Sequence, residues 1–81
     1  MPDFKVGSVT SYFDKIGVAI ISTSASLAIG DLVRIGSPGF TQKVESLQIE
    51  HEKVNSVKAG ELVGLKTSEP TSPGDDVFLV S

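Results

Sequence analysis

The side chains that could do chemistry in this sequence are few, and their spacing limits what they could do. The single histidine, His51, stands in Glu50-His51-Glu52, and a metal site built on it would need further nitrogen or thiolate donors. There is no cysteine, so neither a thiolate site nor a disulfide framework is available. Glu50, Glu52, Asp75 and Asp76 are the right type to hold a hard cation through oxygen. Acids at turns are ordinarily solvated, however, and no metal or other cofactor is expected. Serines are abundant, but none lies in a Gly-x-Ser-x-Gly elbow, and serine in turns needs no catalytic reason. A phosphate cradle requires a glycine-rich loop ending in Gly-Lys-Ser or Gly-Lys-Thr at a helix start. Gly36-Ser37-Pro38-Gly39 has the glycines, but it lies between two predicted strands and its proline removes a backbone donor. The expectation is a chain that is not an enzyme and binds no nucleotide by itself.

Binding chemistry is better represented. Arg34, Lys43, Lys53, Lys58 and Lys66 lie on or beside the middle strands, and Tyr12 and Phe13 are an adjacent aromatic pair. Bases stack on aromatics while Lys and Arg hold phosphates, so these residues could build an RNA surface. The plainer reading is solvated lysines flanking acids, with the aromatics in the core. Seven Lys and Arg against ten Asp and Glu give a net charge of −3, without the basic excess of a protein that grips phosphates throughout.

The elements that must position these residues are strands. Eighty-one residues make one domain over residues 1–81, and 40% hydrophobic composition gives it a core. Phe4 to Phe13 reads as a strand with an irregularity at Gly7. Ile16 to Ile21 is a continuous apolar run, expected to be buried on both sides. Leu32 to Ile35 alternates. Phe40 to Ile49 switches parity between Val44 and Leu47, which predicts a bulge near Glu45 or Ser46. Leu62 to Lys66 and Val77 to Val80 make six strands. Gly30-Asp31, Ser22-Thr23-Ser24 and Pro70 to Asp75 are turn chemistry, and Val54 to Gly60 has room for one helical turn. Six short strands with Gly and Pro turns predict a small closed all-β barrel, with an open Greek-key sandwich as the alternative. The apolar stretch Gly17 to Ile21 is far below the ~20 residues of a membrane span. The first five residues lack a cationic lead into an apolar run, so a cytoplasmic protein without membrane contact is expected.

Lys15-Ile16-Gly17-Val18-Ala19, then Leu27 to Ile35, Val44 to Ile49 and Ala59 to Leu65 follow an order that resembles domain 2 of the translational GTPases. The whole chain is similar to small stand-alone translation elongation factor-like proteins. It also looks like the barrel domains appended to some U32-type peptidases. The resemblance implies a six-stranded antiparallel Greek-key β-barrel, with Val44, Leu47, Ile49, Val63 and Leu65 filling the interior. In the tRNA-delivering relatives the barrel holds a terminal adenosine. At the matching positions this chain has Gln48 for a glutamate, Glu50 for a histidine, Leu62 for an asparagine and Lys66 for an apolar residue. His51 matches a family arginine or histidine.

The expected function is a non-catalytic binding module in translation or RNA–protein assembly. Its partner would be RNA or a ribonucleoprotein, held by Arg34, Lys43 and Lys66 with His51 adding a contact. The competing expectation is a protein-docking module beside a U32-type peptidase or an RNA-modifying partner. Surface distribution separates them: clustered Arg34, Lys43 and Lys66 favour RNA, whereas an exposed apolar patch near Tyr12 and Phe13 favours a protein.

Overall fold

Alternation along each strand decides which residues form the core. Val33 and Ile35 are buried while Leu32 is exposed and Arg34 half-buried, the two-residue period of a pleated strand covered on one face. The same rhythm places Ala19 and Ile21, and Val63 and Leu65, inside, while Val6 and Val9 of the first strand, three residues apart, are both buried because the register of that strand shifts between Lys5 and Gly7. The computed structural model describes residues 4–36, 39–50 and 52–80, and its regular elements there are all strands. They are β1 (Phe4–Phe13), β2 (Val18–Thr23), β3 (Leu27–Ala28), β4 (Leu32–Gly36), β5 (Gly39–Lys43), β6 (Leu47–Ile49), β7 (Glu52–Val54), β8 (Ser56–Val57), β9 (Leu62–Lys66) and β10 (Asp76–Leu79). Eight form one antiparallel sheet in the order β5-β4-β10-β1-β2-β9-β6-β7, and β3 pairs with β8 as a separate two-stranded ladder. No helix among the described residues is long and apolar enough to cross a membrane.

The antiparallel all-β class expected from the sequence is therefore the observed one, and its details differ. There are ten strands among the described residues rather than six. The sheet has two ends, β5 and β7, so the closed six-stranded Greek-key ring is not what the ladders show. The segment read as one bulged strand over Phe40 to Ile49 is two strands, β5 and β6, belonging to opposite wings of the sheet. Val44, between them, is buried, and its backbone bonds both ways to the turn before β4: Gly30 N donates to Val44 O and Val44 N to Asp31 O, each at 2.8 Å. The expected helical turn over Val54 to Gly60 is instead the end of β7, the short strand β8 and a turn, with β8 pairing its backbone to β3.

Two irregularities in β1 let it serve both wings. Its register shifts between Lys5 and Gly7 against β10, and between Val9 and Ser11 against β2, as bulges do when they bend a strand. At Gly7 a side chain has no room: a Cβ there would lie 2.6 Å from Ser22 O and 2.9 Å from Ile21 Cγ2.

Three strands are launched by the same turn. In Ala28-Ile29-Gly30-Asp31, Lys58-Ala59-Gly60-Glu61 and Ser72-Pro73-Gly74-Asp75, the glycine has φ near 90°, the third position of a type II turn. The acid then accepts a hydrogen bond at 2.9 Å from the backbone N–H three residues earlier. β4, β9 and β10 follow directly. The wings are also tied by a side chain. Gln42 of β5 donates from Nε2 to Lys66 O at 2.8 Å and accepts at Oε1 from Ser68 N at 2.7 Å.

Candidate functional site

The outer face of β2 is apolar where a solvated face should be polar. Val18 and Ile20 lie opposite the buried Ala19 and Ile21 and are half-exposed, which corrects the expectation of a strand buried on both sides. The sheet is single-layered here, so the continuous apolar run lines the core with one face and a surface groove with the other. Across from Ile20 in register is Gly64 of β9, and next to it Gln48 of β6. A missing side chain at Gly64 leaves a notch between Ile20 and Gln48. A Cβ at Gly64 would meet Val18 Cγ1 at 3.4 Å, ordinary contact, so the notch is not forced by crowding.

Exposed apolar residues complete the walls. Phe13, at the end of β1, is 50% exposed, Ile16 60% and Leu62 61%. Ile16 is held in a tight turn in which Gly17, at φ 67°, donates its N–H to Phe13 O at 2.8 Å. Leu62 follows the Gly60-Glu61 turn, which Thr23 clamps. The buried Thr23 hydroxyl accepts from Glu61 N at 3.0 Å and donates to Lys58 O at 2.7 Å. Its backbone exchanges further bonds with Glu61 O and Gly60 N. The groove so built encloses about 660 Å³, with Glu50 and Glu61 on its rim. Apolar and open, with a polar border, it has the make-up of a binding surface.

The cations singled out from the sequence fall elsewhere. Lys43 and Lys66, both exposed, line a second depression of about 290 Å³ with Gln42, Glu45, Thr67 and Ser68. Arg34 does not line it. Its guanidinium carbon lies 4.9 Å from the centroid of Phe78, its cross-strand partner on β10, within cation–π range. His51 lies outside the described residues. Tyr12 packs against the core while Phe13 is exposed, so the apolar patch is centred on Phe13, Ile16 and Leu62. Among the described residues, no three of His, Cys, Asp and Glu stand close enough to hold a metal ion. The groove residues Ile16, Val18, Ile20, Leu62 and Gly64 were not among the binding candidates. The signal for them was the unbroken apolar run of β2 and a glycine in the middle of β9.

No protein-family model matches the chain. Over 79 residues it is 35% identical to an uncharacterized protease of Methanocaldococcus jannaschii, which covers 94% of this chain and 19% of that protein. The chain thus spans about a fifth of that relative's length. Among solved structures it matches the C-terminal domain of a U32 peptidase from Geobacillus thermoleovorans with a TM-score of 0.89 at 23% identity, covering 98% of this chain and 93% of that one. The selenomethionine variant of that domain matches with a TM-score of 0.86 at 23% identity over 91% of this chain and 96% of that one. At this identity the match establishes the fold. Of the likenesses drawn from the sequence, the one to domains appended to U32-type peptidases fits these findings, and the elongation-factor likeness is not shown by them. The chain has the fold of a U32 peptidase C-terminal domain.

Proposed function

We propose that this chain is a non-catalytic docking module that works beside a U32-type peptidase and holds a protein partner in the Phe13–Leu62 groove. The observation that carries this reading is the groove itself. Three large apolar side chains are at least half exposed around a glycine notch, on a fold whose solved counterparts are peptidase C-terminal domains. The relative of known name is a protease five times longer than the matched segment, which supports a role beside a catalytic domain rather than as one. The translation reading loses weight because its cations are divided: Lys43 and Lys66 share a depression with Glu45, and Arg34 stacks on Phe78.

The test is calorimetric titration of this chain against a U32-type peptidase truncated before its own C-terminal domain. Wild type is expected to bind, and Phe13→Ser/Leu62→Ser to lose at least about tenfold in affinity, as truncation of central apolar anchors does. Equal binding by the double variant, or none by wild type, would overturn the reading. A parallel titration with single-stranded RNA at about 50 mM salt is expected to show no dependence on Lys43→Ala/Lys66→Ala. A loss of RNA affinity in that variant would restore the RNA reading.

A further inference from the structure

The apolar floor of the groove calls for apolar side chains in its occupant, and the rim carries a second requirement. Building on the docking reading above, we propose that the occupant is a protein segment whose apolar residues are followed, on one side, by Lys or Arg. Among the described residues lining the groove, the charged ones are Glu50 and Glu61, and neither is in an ion pair among the described residues. Antiparallel pairing of Gln48 with Gly64 brings the end of β6 to the start of β9. Both carboxylates therefore stand at one end of the groove, beside Leu62. Phe13, Ile16 and Val18 form the other end, where β2 begins. The groove is thus polar in direction: apolar at one end, anionic at the other. Negative charge at the rim disfavours phosphates and attracts cations, so it selects a basic peptide over a nucleic acid.

The backbone sets where both residues stand. Glu61 is anchored through Oε2 to Lys58 N at 2.9 Å. Glu50 opens the two-residue link between Ile49 and Glu52 and has φ 51°, the one left-handed non-glycine residue among those described. Glycine or asparagine would fill such a hairpin position with less strain. A charged residue where strain is stored points to use of its charge.

The experiment uses three pools of fluorescein-labelled nonapeptides. Each has random apolar residues at its centre and two lysines, two serines or two glutamates on one side. Fluorescence polarisation at about 50 and about 300 mM salt should show the lysine pool binding about tenfold tighter than the serine pool at low salt, with most of the advantage lost at high salt. Glu50→Gln/Glu61→Gln should bring the lysine-pool and serine-pool affinities together at both salt concentrations. Glu50→Gln alone, at an exposed turn position, should erase part of the lysine advantage and serves if the double variant unfolds. Glu50→Asn should also reduce the advantage while raising the melting temperature. Equal binding of the lysine and serine pools, or an advantage untouched by the glutamate variants, would overturn the basic occupant and leave docking standing. Binding of no pool would remove both. Displacement of the lysine pool by a single-stranded RNA dodecamer would overturn the choice of a protein occupant.

Discussion

Thr23 carries more of the groove than its position in a Ser-Thr-Ser run suggests. Its hydroxyl and backbone hold the Lys58–Glu61 turn, and that turn sets where Glu61 and Leu62 stand. Thr23→Val keeps the shape and removes the hydroxyl, leaving Lys58 O and Glu61 N short of a partner in a part-buried place. Urea unfolding is expected to show a loss of about 1–3 kcal/mol, the usual cost of stranding buried polar groups. The sequence marks Thr23 only as turn chemistry, because a hydroxyl's partners 35 and 38 residues away leave no local trace. Val63 and Leu65, by contrast, are legible as interior residues: they alternate with Leu62, Gly64 and Lys66, and both are fully buried.

At the scale of elements, two glycines inside strands serve opposite ends. Gly7 is a glycine because the bulged β1 presses on the backbone of β2. Gly64 is open to a methyl group and leaves a notch in the surface. Gly7→Ala should cost about 1–3 kcal/mol, since a backbone carbonyl must move. Gly64→Ala should keep wild-type stability while filling the notch, and paired thermal melts of the two variants check both. Long periodic strands were readable: the bounds of β1 and β9 match the expectation residue for residue. β3, β7 and β8 were not, because strands of two or three residues hold barely one period of alternation. β2 was recognised as a strand but misread as doubly buried. An apolar run looks the same whether its second face meets a core or a partner.

At the scale of the whole molecule, the class was written in apolar segments punctuated by glycine and proline. The order of pairing was not, because it rests on contacts far apart in sequence, such as β10 between β1 and β4. The same holds for the groove, which draws on β1, β2, β6 and β9 and exists only once the sheet has assembled. What joins the two wings at β5 is the carboxamide of Gln42, acting in place of a run of backbone bonds. Held at this end by one rotatable side chain, the seam can open without the rest of the sheet melting, so it is the first place where an otherwise cooperative shell leaks. Gln42→Ala should speed hydrogen–deuterium exchange at the Ser68 amide by more than about tenfold while leaving buried strand amides protected. Once unlatched, β5 becomes a bare edge able to recruit a second molecule, and the variant should self-associate as its concentration rises, visible by light scattering.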